Sequence, residues 1–305
     1  MPFWQYYHTP QTVEEALAIL ARYDGAAQVI AGGTDLLIDL QYGGEAPRMA
    51  LVDVTRIPEM TAIHEADGIV LLGAAVTHTA ITRSTLLEAR ATCLVESCGV
   101  IGGPQVRNVG TLGGNVAHAL PAGDGATSLM ALAAEAEVAW GDGRREWLPL
   151  AALYRGAGQS ALDSRRDVLV RFRFRLAGAR EGSAFKRVMR PQGVALPVLG
   201  CAVWVKLDES KTRYVDARVC IGPVAPTPIL ATAVQDALRG QPCNDAALNA
   251  AIRAAHASLR PRASKYRATA EYRQLMIETL LRGALPLAVR RAQTGQARAE
   301  GLGLG

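Results

Sequence analysis

Residues 110–115 read GTLGGN, inside the longer stretch 106–132, VRNVGTLGGNVAHALPAGDGATSLMAL. Another glycine pair beside a threonine occurs earlier in the chain, in residues 29–40, VIAGGTDLLIDL. Paired glycines meet two physical needs: a backbone with positive φ, and the close approach of another group to a main chain without a Cβ. The fold depends on where these two pairs lie.

The first pair lies between a predicted strand, AQVIAG, and a predicted helix. Leu36, Leu37 and Leu40 can share one face of a helix that begins after Thr34. In such a turn, a strand is followed by two glycines, a threonine and the start of a helix. Its unpaired N–H groups point to one place, which is typical of an anion-binding site. Two such turns fit a ligand that carries two phosphates, although the alternative is that each pair only makes a turn. Neither pair matches GxGxxG or GxxxxGK[ST], so the spacing excludes the Rossmann and P-loop motifs.

Composition limits the class of protein. A chain of 305 residues with 50% hydrophobic and 20% charged residues is expected to fold into two or three packed units. The densest basic stretch, RRDVLVRFRFRLAGAR, alternates charged and apolar residues as a half-exposed strand does, which argues against a nucleic-acid groove. Glu135 and Glu137 interrupt the most apolar run, so no membrane span is predicted. The first residues lack the pattern of a secretory signal, and a cytoplasmic location is expected.

The cysteines do not form a disulfide framework or a CxxC pair. Four residues separate Cys93 from Cys98, a gap that also occurs in some iron–sulfur sites, but no further cluster completes a set of four thiolates. Buried packing is therefore favoured over metal binding for Cys93, Cys98, Cys201, Cys220 and Cys243. We expect no metal cluster on this chain.

The order of predicted elements favours an α+β fold, because strands and helices are both frequent but do not alternate strictly. Thr12 and Glu15 have the spacing of a capping box at the start of a first helix. From about residue 177 the pattern becomes a strand meander followed by helices. The predicted units are a first lobe (1–58), a second lobe (59–176), a C-terminal α+β domain (177–285) and a disordered tail (286–305).

The two glycine stretches, together with AFKRVMR at residues 184–190, resemble the FAD-binding subunit of the molybdenum hydroxylases of the xanthine dehydrogenase and carbon monoxide dehydrogenase type. The likeness covers residues 3 to about 285, and TLGGN followed by Pro-x-x-Asp is its most specific part. The resemblance implies a FAD-binding fold of the vanillyl-alcohol oxidase type. In that fold two α+β lobes hold FAD, and a C-terminal domain of a three-stranded sheet and a helical bundle closes over the flavin.

The resemblance also implies roles for individual residues. The diphosphate of FAD would lie between two sets, Ala31, Gly32, Gly33, Thr34 and Asp35 on one side and Thr111, Gly113, Gly114 and Asn115 on the other. Asp124 would accept hydrogen bonds from ribose or ribityl hydroxyls, and the alternative is that it caps a helix. Lys186 would lie close to the flavin, where a cation stabilises the charge of the reduced ring; its alternative is a solvated lysine on a strand.

Three features depart from the family pattern or stay open. Some relatives place an aromatic ring against the flavin shortly after the position of Arg190, but PQGVALPVLG has none, so Val194 or Leu196 is expected to make an aliphatic contact instead. Hydroxybenzoyl-coenzyme A reductases insert a cysteine-bearing loop before the aspartate region, and only VAHALPAG stands there. His78 follows the predicted strand GIVLLGAAV and His118 follows TLGGN; both could approach FAD, but a structural role is favoured for both.

The function that the resemblance implies is electron transfer. FAD on this chain would take electrons from [2Fe-2S] clusters of a small partner subunit and pass them to an external acceptor. A large partner subunit would carry molybdopterin and the organic substrate, in a dimer of heterotrimers. The alternatives are a stand-alone flavin-dependent reductase or oxidase, and a flavin-free assembly subunit. The substrate and the terminal acceptor (NAD, oxygen, quinone or ferredoxin) are not specified by the sequence.

Overall fold

The protein begins with a small parallel sheet, seen in a computed structural model that describes residues 3–43, 46–189, 196–264 and 267–301. Its strands lie in the order β1-β3-β2, with β3 in the centre. The predicted cap of the first helix is present, since Thr12 Oγ1 accepts a hydrogen bond from Glu15 N at 3.1 Å. The Glu15 carboxylate accepts from Gln11 N at 2.7 Å. The elements of this part are β1 (Tyr6–His8), α1 (Val13–Arg22), β2 (Ala27–Ile30), α2 (Leu36–Tyr42), β3 (Ala50–Asp53) and α3 (Pro58–Thr61).

A five-stranded antiparallel sheet follows, in the order β4-β5-β10-β6-β7, with an outlying β8–β9 hairpin. A block of six helices separates β5 from β6 in the chain. The strands are β4 (Ile63–Ala66), β5 (Ile69–Gly73), β6 (Glu135–Ala139), β7 (Arg145–Pro149), β8 (Tyr154–Gly156), β9 (Gln159–Ser160) and β10 (Val168–Arg175). The helices are α4 (His78–Thr82), α5 (Thr85–Arg90), α6 (Thr92–Gly99), α7 (Pro104–Val109), α8 (Leu112–Ala117) and α9 (Asp124–Ala131).

The basic stretch forms β10, a half-exposed strand as predicted. Phe172 and Phe174 point into the core, while the intervening arginines face the other side of the sheet. Arg171 Nε donates to Glu137 Oε2 at 2.5 Å, and Arg173 Nε donates to Glu135 Oε2 at 2.7 Å. These basic side chains are thus neutralised by carboxylates of the neighbouring strand β6.

The C-terminal part is an antiparallel sheet backed by helices. The predicted three-stranded meander is present, and a two-residue strand extends it to the order β11-β12-β13-β14. The predicted α+β class is confirmed. These elements are β11 (Glu181–Met189), β12 (Pro197–Leu207), β13 (Tyr214–Gly222), β14 (Ile229–Leu230), α10 (Thr232–Leu238), α11 (Asp245–Ser258) and α12 (Ala270–Thr294).

Helix α6 lies at the junction between the two halves, and all eight of its residues are buried. Its Glu96 carboxylate meets Arg291 of α12, with 2.6 Å between Arg291 Nη2 and Glu96 Oε1. The side chains of Glu96 and Arg291 are 1% and 3% exposed. Phe185 N of β11 donates to Glu96 Oε2 at 2.7 Å. One buried carboxylate therefore joins helix α6 to both the sheet and the last helix of the C-terminal half.

The prediction of a disordered tail over 286–305 is wrong for much of that range. Helix α12 continues to Thr294, and residues up to 301 lie against the body of the protein. Ala299 N donates to Glu88 Oε1 at 3.2 Å, and Glu300 N donates to Glu96 Oε1 at 2.9 Å. Residues 287–292 are held by apolar side chains in the C-terminal core, whereas Ala299 and Glu300 are held through backbone N–H groups, which leave no apolar period in the sequence. Within the residues that the structure describes, every helix is too short or too polar to cross a lipid bilayer.

Candidate functional site

The two glycine stretches meet in space. A Cβ added to Gly32 would lie 2.1 Å from Val109 O and 2.8 Å from Gly110 Cα, so the first bend packs directly on the backbone that leads into TLGGN. A second contact joins the same two stretches, with 3.7 Å between His118 Nδ1 and Asp35 Oδ1. The close approach of two backbones is therefore one reason that position 32 is a glycine.

The first bend presents unused amide groups. Within the described part of the chain, the N–H groups of Gly32, Gly33, Thr34 and Asp35 donate no hydrogen bond. Gly33 has φ +66°, a conformation that favours glycine and that turns consecutive N–H groups to the same side. Successive N–H groups without acceptors form an anion-binding concavity, so this bend has the donors that a phosphate requires.

The second bend uses its amide groups internally. Leu112 N donates to Val76 O at 3.1 Å, and Gly113 N donates to Ala74 O at 2.7 Å. Gly114 N donates to Thr111 Oγ1 at 3.1 Å, so the threonine is the N-cap of α8. Gly113 is buried with its missing Cβ 2.6 Å from Ala74 Cβ, whereas Gly114 is exposed. The second stretch thus offers an exposed edge at Gly114 rather than a second set of free N–H groups.

Asp124 is the first residue of helix α9, and the side chain of Asn115 in α8 reaches the start of the same helix. Asn115 Oδ1 accepts a hydrogen bond from Ala126 N at 3.3 Å. The N-cap of α9 is Gly123, so the capping alternative for Asp124 does not hold. The Asp124 carboxylate is 4% exposed and pairs instead with Arg187 of β11, at 2.7 Å between Oδ2 and Nη1. Burial raises the pKa of Asp124 to about 6, against the opposing effect of Arg187.

The structure does not bring Lys186 to this group. Lys186 shares a face of β11 with Ala184, which packs in the C-terminal core, and its Nζ lies 2.9 Å from Glu300 Oε2. Leu196 is 62% exposed and precedes β12. Val194 and Arg190 lie outside the described residues. The flavin contacts expected of Lys186 and Leu196 therefore stay predictions.

His78 packs beneath the second bend. Its backbone N donates to Gly110 O at 3.0 Å, and the side chain is buried. Burial, helped by the nearby Arg107, lowers the pKa of His78 to about 4, so its ring is neutral at pH 7. Nδ1 has no hydrogen-bond partner among the described residues. A neutral buried ring fits the structural role that the sequence favoured.

Sequence reasoning missed Arg187 as a site residue. The signal was present in the alternation of AFKRVMR, which places Arg187 on the face of Phe185 and away from Lys186. The sequence did not indicate the ion-pair partner of Arg187, because Asp124 lies 63 positions earlier.

Comparison with known proteins gives matches along nearly the whole chain. A family model described as the FAD binding domain in molybdopterin dehydrogenase matches residues 2–174. A model described as the CO dehydrogenase flavoprotein C-terminal domain matches residues 183–287.

Individual relatives match over similar lengths. The carbon monoxide dehydrogenase medium chain of Hydrogenophaga pseudoflava is 30% identical over 279 residues, which are 92% of this chain and 95% of that protein. The xanthine dehydrogenase FAD-binding subunit of Escherichia coli O157:H7 is 31% identical over 286 residues, with coverage of 93% and 95%. A solved structure of carbon monoxide dehydrogenase from H. pseudoflava superposes with a TM-score of 0.87 at 30% identity, covering 95% of this chain and 99% of that chain.

Proposed function

We propose that this chain is the flavin-carrying electron-transfer component of a multi-subunit dehydrogenase. The premise is that the chain belongs to the family of FAD-binding subunits of molybdenum hydroxylases. The observation that carries the proposal is the row of unused N–H groups at Gly32–Asp35, set against the backbone that leads into TLGGN. This arrangement offers anion donors at a point where two separate parts of the chain meet.

The residues present fit FAD. The amides of Gly32, Gly33, Thr34 and Asp35, preceded by Ala31, would hold the diphosphate. The edge formed by Thr111, Gly113, Gly114 and Asn115 would line its other side. Asp124 has one carboxylate oxygen, Oδ1, without a hydrogen-bond partner in the described chain, and this oxygen can accept from a hydroxyl of the cofactor.

FAD, when bound, supplies the chemistry that accepts electrons singly or in pairs. The protein's own residues bind the phosphates, orient the cofactor and keep water from its buried side. By analogy with the relatives, electrons would come from [2Fe-2S] clusters on a small partner subunit. A large partner subunit would carry molybdopterin and the substrate pocket, in a dimer of heterotrimers.

The proposal is tested on the purified chain, freed of flavin and titrated with FAD. We expect a bound-flavin absorption spectrum and no turnover of NADH or NADPH by the chain alone, with acceptor reduction appearing only when the partner subunits and their substrate are added. Turnover by the chain alone would instead indicate a stand-alone reductase or oxidase. Failure to bind FAD would indicate a flavin-free subunit, and either result would contradict the proposal.

Substitution of Asp124 tests the cofactor site directly. Asp124→Ala is expected to weaken FAD binding by about 1–3 kcal/mol, because hydroxyl donors of the cofactor lose their acceptor. Asp142→Ala is the matched control, since the Asp142 side chain is 65% exposed and pairs with Arg144 in a turn between β6 and β7. Equal FAD affinity in both variants would rule out a contact between Asp124 and the cofactor.

A further inference from the structure

Arg187 lies on the face of β11 that is turned toward the first half of the protein. It shares this face with Phe185, which belongs to the core of that half, while Ala184 on the opposite face packs in the C-terminal core. The arginine side chain is 9% exposed, so it is a buried cation at the junction between the sheet of β11 and helix α9.

The contacts of Arg187 leave part of its guanidinium unsatisfied. Nη1 donates to Asp124 Oδ2 at 2.7 Å, and Nη2 contacts Met189 Sδ at 2.9 Å. Nε is buried and has no hydrogen-bond partner among the described residues. A buried donor without a partner costs free energy, so the pairing with Asp124 does not fully satisfy this arginine.

The two carboxylate oxygens of Asp124 also differ in whether they have a hydrogen-bond partner. Oδ2 is held by Arg187, whereas Oδ1 has no hydrogen-bond partner in the described chain. Gly200 of β12 faces Oδ1, and a Cβ added to it would lie 3.2 Å from that oxygen. The same Cβ would lie 3.0 Å from Phe185 Cζ, so Oδ1 packs closely against β12 where only a glycine fits.

Among the described residues, Arg187 is the cation that contacts Asp124. The neighbouring elements contribute other groups with other partners. On α6, the Cys98 thiol is buried and Glu96 is paired with Arg291. On β13, Arg218 donates to Ala131 O at the far end of α9. The segment after α8 contributes His118, which lies near Asp35.

We propose that Arg187 is a positioning residue for the cofactor, which holds Asp124 through Oδ2 so that a charged Oδ1 is left to accept a hydrogen bond from a ribityl or ribose hydroxyl of FAD. The proposal rests on the proposed function. It adds that the C-terminal domain takes part in cofactor binding through this pair, from the face of β11 opposite to Lys186.

The test compares FAD affinity of the full chain and its Arg187→Gln variant between pH 5.5 and 9, by quenching of flavin fluorescence. Asp124 without its cation keeps its proton to a higher pH. We expect Arg187→Gln to bind FAD about tenfold more weakly at pH 7, with the difference shrinking as the pH rises. Arg187→Lys restores the charge and should return the pH profile toward that of the parent.

Arg175→Gln is the matched control, because Arg175 also pairs with a buried carboxylate, Glu181, but at the other end of β11. It should leave the pH profile of FAD binding unchanged. An Arg187→Gln variant that folds and binds FAD like the parent at every pH would overturn the proposal. So would an equal loss at every pH that Arg187→Lys does not correct.

If Arg187→Gln does not fold, Asp124→Asn carries the same test, since an amide does not titrate. We expect FAD binding of the parent to weaken at low pH, where Asp124 takes up a proton, and Asp124→Asn should abolish this weakening. A pH profile of FAD binding identical to that of the parent would overturn the proposal. A parent chain that binds no FAD would already have contradicted the proposed function, before any variant is compared.

Discussion

At the scale of single residues, Gly113 and Gly114 are adjacent but have different surroundings. A Cβ at Gly113 would lie 2.6 Å from both Ala74 Cβ and Ala74 O, whereas one at Gly114 would meet only Thr111 Oγ1, at 3.1 Å. We expect Gly113→Ala to lower the free energy of unfolding by about 1–3 kcal/mol through overpacking, whether or not FAD is present. Urea unfolding of the flavin-free chain measures this change.

Gly114→Val should instead act on the ligand. Its side chain would stand on the exposed edge of the second bend, and we expect FAD retention to be abolished while the chain still folds. Flavin content after gel filtration and urea unfolding of the same sample separate the two effects. A Gly114→Val chain that keeps FAD as tightly as the parent would show that the phosphates lie elsewhere.

The two glycine stretches show what the sequence could and could not predict about the site. Their pairing with threonine indicated a backbone that something approaches closely, and Gly32 is indeed packed against Val109. Which bend keeps free N–H groups could not be predicted, because the acceptors for the second bend are Ala74 and Val76. Those carbonyls follow β5, and only the folded arrangement of strand and helices brings them to residues 112 and 113.

At the scale of elements, helix α12 is fixed to α6 by the buried pair of Arg291 and Glu96. Removal of the cation leaves a carboxylate that is 1% exposed and whose remaining donors, within the described chain, are the backbone groups Phe185 N and Glu300 N. We expect Arg291→Met to lower the free energy of unfolding by about 3–5 kcal/mol. Arg290→Met is the control, since Arg290 is 66% exposed and should cost less than about 0.5 kcal/mol. Comparable losses in the two variants would contradict a special role for the pair.

Element positions were predictable to the extent that side-chain periodicity reports burial. The alternation of VLVRFRFR predicted a half-exposed strand, which is β10, and the meander after residue 177 forms the third sheet. The end of α12 was not predictable in this way. Ala299 and Glu300 are held by Glu88 and Glu96 through main-chain N–H groups, and such contacts leave no pattern in the sequence.

At the scale of the whole molecule, two cores lie against each other, one mainly from residues 13–176 and one from residues 184–292. The resemblance drawn from the glycine stretches is confirmed by the family matches, which also divide the chain into two parts, 2–174 and 183–287. Asp124 with Arg187, and Glu96 with Arg291, are two buried ion pairs that cross this division. The first joins helix α9 to strand β11, and the second joins helix α6 to helix α12.

The flavin-free chain should show opposing contributions to stability from two buried groups as the pH falls from 7 to 4. The folded pKa of His78, about 4, lies below its ordinary 6.5, so its contribution is present above pH 6.5 and is lost as the pH falls through 4. The folded pKa of Asp124, about 6, lies above its ordinary 3.8, so its contribution is present below pH 3.8 and is lost as the pH rises through 6. Each shift corresponds to a free energy on the order of 3 kcal/mol, so the two largely offset each other in the parent.

Single substitutions should uncover each contribution. With His78→Phe the contribution of Asp124 remains without that of His78, so the stability of the chain relative to the parent should increase on acidification. With Asp124→Asn the contribution of His78 remains without that of Asp124, and the stability relative to the parent should fall over the same pH range. Urea unfolding at intervals between pH 4 and 7.5 measures both slopes, with the exposed Asp142→Asn as the control that should follow the parent. Parallel curves for all four proteins would mean that neither group titrates with a shifted pKa.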